Sequence, residues 1–315
     1  MKMRIQTLAG TALAALSLAA APALADDHAV AAANADAAAA DALVAVDADP
    51  ALWVVEDEDT TIYLFGTFHA MKPGVDWFND EVRTSYDAAD EVVVELVPPT
   101  DPAEMQPIIM QYAVDRSGTP LSAKLSAQAR TELHATLAEM GAPAQAFDMF
   151  KPGFASAALT AGLMPKMGFE EGLGVDKAII TAANADGKPI TELETMEEQL
   201  ALFTVKIDEA EQIRLLEEML LELDEMDDTL ETMLAAWKSG DEAVFAELFA
   251  EMNDSSAAFY EALLTERNAD WAEWIDARMD APGTVFVAVG AGHLMGADSV
   301  QRFLTDKGIA SRRVN

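Results

Sequence analysis

The chain has 315 residues, with 55 acidic against 20 basic, four histidines and no cysteine. A net charge of −35 argues against nucleic acid, whose binding needs a basic face to displace counterions, and against adsorption to anionic lipid. The missing cysteine excludes disulfides, a lipidated cysteine, a cysteine nucleophile and thiolate metal sites, so any metal must be held by nitrogen and oxygen ligands.

Residues 1–25 read as a secretory signal peptide. Lys2 and Arg4 form a positive n-region, residues 5–18 a small and apolar h-region, and Ala23-Leu24-Ala25 a cleavage site before Asp26. Export to the periplasm is therefore expected. Without Lys2 and Arg4, 18 basic residues face 55 acidic ones, a net −37. No later segment reaches the roughly 18 uncharged apolar residues of a membrane span. Residues 26–49 are rich in Ala and Asp, lack aromatic residues and show no period, which predicts a disordered tether. A single α/β domain is expected over residues 50–315.

Within that domain, residues 52–56 and 61–65 predict two strands joined by the polar turn Asp57-Glu58-Asp59, a hairpin. Residues 79–89 predict a helix starting at an Asn cap. Residues 91–96, nearly all apolar, predict a strand covered on both faces, and the order strand, helix, strand suggests a parallel unit. Residues 126–140 predict an amphipathic helix closed by Gly141. Two more helices are expected over 155–163 and 175–185, then a buried strand over 189–194. Residues 196–264 carry Leu, Met and Phe at three-to-four spacing among many acids, the pattern of helices with one buried face. This long acidic helical insertion breaks at Lys238-Ser239-Gly240-Asp241. A last helix over 267–279, a strand over 284–289 and an edge strand over 308–314 complete the chain. The expected fold is mixed α/β, with a largely parallel sheet and flanking helices.

Gly66-Thr67-Phe68-His69 and Gly290-Ala291-Gly292-His293 each follow a predicted strand, and they hold two of the four histidines. Glycine allows a sharp turn and close approach of the backbone, and sites of α/β proteins lie at the carboxyl ends of parallel strands. If the two strands are neighbours, His69 and His293 can converge on one ion or one substrate. Histidine serves as metal ligand or as general base, and both roles fit. Glu95, amid Val92, Val93, Val94, Leu96 and Val97, needs a metal or an arginine if it is buried; otherwise it points outward at the strand end. Glu170, Glu171 and Asp176 surround a Gly-rich loop, where one can face the site or Asp176 can simply start a helix. Arg267 reads equally as a structural ion pair or as a clamp on an anionic group. The acids of residues 208–231 read as a solvated face, and His28 and His134 receive no role. No Walker loop, Gly-x-Ser-x-Gly elbow, His-Glu-x-x-His or EF-hand loop is present.

At these residues the chain resembles the TraB/GumN family and, through it, the Tiki-type metalloproteases. The matching pieces are Leu52-Trp53, residues 62–69, Trp77, Ala89-Asp90-Glu91 leading to Glu95-Leu96, and Gly174-Val175-Asp176. They continue with Leu193-Glu194-Thr195 leading to Gln199, Arg267-Asn268, and residues 289–296. The resemblance implies an α/β core with helical insertions. It also implies a site built from His69, His293 and Glu95, which in Tiki-type members is considered a divalent-metal peptidase centre, with Arg267 matching a basic residue of the family pattern. A metal-dependent hydrolase is the resulting expectation. Its substrate would be a peptide or small molecule, its metal Mn²⁺, Co²⁺ or Zn²⁺, and its catalytic set His69, His293, Glu95 and Arg267, with Glu171 and Asp176 behind them. The rival expectations are a binding protein for peptide, metal or haem, and a metal-free histidine esterase.

Overall fold

A computed structural model describes residues 45–99 and 101–315. The expected signal peptide and most of the expected tether lie outside the described residues. Among the described residues eight strands are formed: β1 (Val46–Asp47), β2 (Leu52–Glu56), β3 (Thr60–Thr67), β4 (Val75–Asp76), β5 (Glu91–Val94), β6 (Ile190–Glu192), β7 (Gly283–Gly290) and β8 (Ser311–Arg313). The main sheet has the order β6-β5-β7-β3-β2-β8. The first four are mutually parallel, and β2 is antiparallel to both β3 and β8. The fold is thus mixed α/β with a largely parallel centre. Among the described residues no helix is long and apolar enough to cross a membrane.

The hydrophobic pattern explains which strands are central. Val92 to Val94 and residues 285–290 are buried without alternation, as strands covered on both faces must be. Phe65, Trp77, Tyr86 and Phe286 pack ring against ring and carry the helix Asp80–Ala88 onto the sheet. Tyr86 donates to Asp186 Oδ2 at 3.0 Å, which ties that helix to Val175–Asp186. β3 and β5 are parallel, as expected, but they do not touch: β7 arrives from more than 180 residues later in the chain and inserts between them.

Several boundaries differ from the sequence expectation. Residues 46–49 belong to the fold rather than to a tether. Val46 and Ala48 donate to the carbonyls of Gly74 and Asp76 at 2.8 and 2.9 Å, and Asp49 donates to Lys238 at 2.8 Å. Asn79 precedes its helix without a side-chain cap; its amide goes instead to Asp47 Oδ1 at 2.7 Å. β6 is a short, half-buried edge strand rather than a buried one, because nothing pairs with its outer side. The tract 196–264 breaks at Gly240 as expected and also near Val205, Glu222 and Ser256. The new helices start at Thr195, Asp208, Asp241 and Ser256, whose side-chain oxygens accept from the first turn.

Candidate active site

The register of β3 and β7 brings the two Gly-x-x-His segments together. Gly66 pairs with Val289 and Thr67 with Gly290, so both segments leave the sheet side by side at its carboxyl edge. Glycine at 66 lets the two segments approach closely, since a Cβ there would crowd Ala291 Cα at 3.0 Å. Its carbonyl accepts from Trp237 Nε1 at 2.8 Å, which pins the helix Met226–Lys238 to the first segment. Glu95 follows the end of β5, the other neighbour of β7. A Cβ on Gly290 would lie 3.0 Å from Glu95 Oε1, 3.3 Å from His69 Nε2 and 3.5 Å from His293 Cδ2. The two histidines and Glu95 therefore surround a single point.

Gly290→Ala puts a methyl at that point without backbone strain, since the residue has φ −49°. It is expected to cost about 1–3 kcal/mol in chemical denaturation, the range for overpacking a filled site. A loss below about 0.5 kcal/mol, the level of an ordinary surface change, would show the point to be open.

Behind this point Arg267 organises a buried network. It stands at the start of the helix Glu266–Met279, directly after a π-helical turn over Glu261–Thr265, a deformation frequent at functional sites. Nε and Nη2 donate to the two oxygens of Glu194 at 2.6 and 2.8 Å, and Nη2 also to Glu95 Oε2 at 3.0 Å. Nη1 donates to the Leu263 carbonyl and to His293 Nε2, each at 2.9 Å. All five guanidinium hydrogens are thereby placed. Its planar group also lies 4.9 Å from the Trp271 ring centre, and Trp271 packs on His293 with ring centres 4.3 Å apart.

Because a guanidinium only donates, His293 Nε2 must be the bare, accepting nitrogen. Its Nδ1–H then goes to Asn268 Oδ1 at 2.6 Å, and Asn268 Nδ2 donates to the Asp298 carbonyl at 2.6 Å. Burial and the neighbouring Arg267 push the His293 pKa well below its usual 6.5, so this imidazole is neutral. Burial alone would raise the Glu95 carboxyl. Against it, the Arg267 cation, His69 and the Gly290 amide hold it well below the usual carboxylate range. Gly290 N–H donates to Glu95 Oε1, and Gln199 approaches Oε2 at 3.5 Å.

His69 differs from His293. Its Nδ1 faces Asp176 Oδ1 at 3.4 Å, an ion-pair separation that falls short of an aligned hydrogen bond. Burial pulls its pKa down, yet the charge of Asp176, reinforced by Glu95, leaves it above 6.5. His69, Glu95, Asp176, Thr67 and Gln199 line a cavity of about 410 Å³. Glu171 sits at its wall, paired with Lys177. Arg267 and His293 do not line it. Glu170 lies outside it too, its backbone bridged to Met71.

The donor set of imidazole nitrogen and carboxylate oxygen suits a divalent ion such as Mn²⁺, Co²⁺ or Zn²⁺. His69 Nε2 and Glu95 Oε1, converging beside Gly290, fit that role. His293 does not fit it in this arrangement, because Arg267 occupies the lone pair of Nε2 and Nδ1 carries the proton given to Asn268. Ligand atoms of the three residues are not all within 4.8 Å of one another. Glu194, Asn268, Gln199 and Thr67 received no role from the sequence. Their signals were membership in the matching pieces of the family resemblance and, for Thr67, Glu194 and Asn268, a place at the end of an apolar strand or beside Arg267.

This architecture defines an α/β protein with a charged, mostly buried centre where the carboxyl ends of parallel strands meet. The chain belongs to the TraB/PrgY/gumN family, whose sequence model matches residues 51–313. It is similar to the protein named "Uncharacterized protein YbaP" of Escherichia coli (strain K12), with 26% identity over 206 residues, covering 62% of this chain and 76% of the relative. The YbaP of Shigella flexneri matches to the same extent. No solved structure matches.

Proposed function

We propose that the protein is an exported hydrolase that cleaves a peptide or a small acyl compound in the His69–Glu95 cavity. The observation that carries this reading is the meeting of His69 Nε2 and Glu95 Oε1 beside Gly290, at a cavity wall. Asp176 orients His69 through Nδ1, leaving Nε2 to take a proton from water. Glu95, ionised at any working pH, holds that water by accepting from it. Arg267 and His293 act from behind: the guanidinium fixes the Glu95 carboxylate, and the neutral imidazole fixes the guanidinium. Were a divalent ion held by His69 Nε2 and Glu95 instead, it would take the Nε2 lone pair and, in place of the histidine base, would supply Lewis acidity and lower the pKa of its bound water.

The test is incubation of the purified chain with a mixed peptide library, with Mn²⁺ and with chelator, followed by mass spectrometry. Cleavage at defined bonds supports the reading. A library left intact in every condition overturns it. Export is checked by sequencing the amino terminus of protein from the cell envelope. Asp26 is the expected first residue, and an intact Met1 on cytosolic protein would exclude processing.

A base with a raised pKa sets the sign of the pH dependence. His69 is protonated, and idle as a base, below its folded pKa, so activity should climb through a limb above pH 6.5. Asp176→Asn removes the largest influence raising that pKa and should move the limb to lower pH. For folding, protonated His69 stabilises below pH 6.5 and the contribution fades as pH rises through the folded value. An acid limb that stays in place in Asp176→Asn would remove His69 from the role of base.

A further inference from the structure

Gln199 is 1% exposed, yet it forms part of the cavity wall. It stands on the helix Met196–Thr204, whose first turn is fixed by a capping box between Thr195 and Glu198. Its Nε2 lies 3.3 Å from Glu194 Oε2 and 3.5 Å from Glu95 Oε2. Both oxygens already accept from Arg267. Turning the amide over would set oxygen against carboxylate oxygen, so its orientation is fixed. Gln199 Oε1 is then left buried without a hydrogen-bond partner. Thr67 Oγ1 at the end of β3, also in the cavity wall, is buried and unpartnered as well. A buried acceptor with no donor costs about 1–3 kcal/mol, a cost that an incoming donor removes.

Other acceptors of the wall are carboxylates: Glu95 is bonded by Gly290 and Arg267, Glu171 by Lys177, and Asp176 Oδ1, though without an aligned hydrogen bond, is held in an ion pair with His69. Val94, Leu96, Ile180 and Ala288 contribute apolar surface. An ammonium group would be drawn to the carboxylates of Asp176 and Glu171. A neutral N–H donor suits the two neutral oxygens.

We infer that Gln199 and Thr67 select the substrate: their side-chain oxygens accept from an amide N–H, so the cavity takes amides in preference to esters of the same shape. For turnover this rests on the hydrolase reading; for binding it stands apart from it.

The probes are a capped tetrapeptide library and the matched depsipeptide library, in which the central N–H is replaced by oxygen. Binding is read by affinity selection and mass spectrometry on the His69→Ala chain, and turnover on the chain with His69 intact. Amides should be preferred about 5- to 10-fold, the worth of one buried hydrogen bond. Gln199→Met should bring the preference close to parity. Thr67→Val, nearly isosteric, should reduce it while leaving the melting temperature in place, and it decides the matter if Gln199→Met does not fold. Equal binding of the two libraries overturns the inference, as does a preference unchanged in Thr67→Val or in a folded Gln199→Met, or failure of both libraries to bind. An amide preference in binding without any turnover upholds the inference and overturns the hydrolase reading.

Discussion

Arg267→Leu is expected to lower the unfolding free energy by about 3–5 kcal/mol, the cost of stripping the partner from a buried charge. The side chains of Arg267, Glu95 and Glu194 are only 7%, 7% and 10% exposed. Without the guanidinium two carboxylates are buried against each other, His293 Nε2 loses its donor, and the Leu263 carbonyl loses one as well. Arg267→Lys should recover only part of the loss, since an ammonium has three donors and no planar fork. Pairing Arg267→Met with Glu194→Gln should be milder than Arg267→Met alone, because one orphaned charge is gone. Guanidinium denaturation of the four variants provides the check. A single-variant loss below about 1 kcal/mol, typical of exposed ion pairs, would mean that the network is open to water.

Removing the groups that face the cavity should separate activity from stability. His69→Ala is expected to lower turnover by about 10²–10⁴-fold, the usual worth of a positioned base. His69 has Asp176 as its one close polar neighbour at Nδ1, so the fold should tolerate the loss. Glu95→Gln keeps the shape and removes the charge beside Arg267, and an equal loss of turnover is expected. Metal analysis of both proteins then distinguishes their parts. If His69→Ala loses a bound ion and Glu95→Gln keeps one, His69 is the ligand and Glu95 acts on water. Full turnover in either variant would sink the proposed site.

Much of the sheet could be read from the chain because its strands are locally unambiguous. The run of valines at 92–94 and residues 284–289 can be buried only as strands, and the polar turn at 57–59 can only reverse the chain. That the segments after Gly66 and Gly290 could converge was legible because both stand in the same context, although the register itself, Gly66 beside Val289 and Thr67 beside Gly290, was not. The insertion of β7 between β3 and β5 was not, since no local pattern records which strand is a neighbour. The supporting network was hidden for the same reason. Arg267 reaches Glu194 across 73 positions and Gln199 reaches Glu95 across 104, and such contacts exist only after folding. The protonation of His293 depends in turn on Arg267, so it could not be inferred from the motif. Side-chain caps at Thr195, Asp208 and Ser256 were readable in principle, but the continuous amphipathic pattern of residues 196–264 masked them.

The position of β7 also orders events in time. Until residues 283–290 have been made, β3 and β5 face each other across an empty slot, each with an unpaired edge. Contacts of such long sequence separation form late, and open strand edges invite pairing with other chains. A chain halted before Gly283 therefore has neither a complete sheet nor His293, and its exposed edges should drive it to aggregate. The final tenth of the polypeptide acts as a keystone: the buried charged centre and the sheet are closed by the same strand, so neither is complete without it.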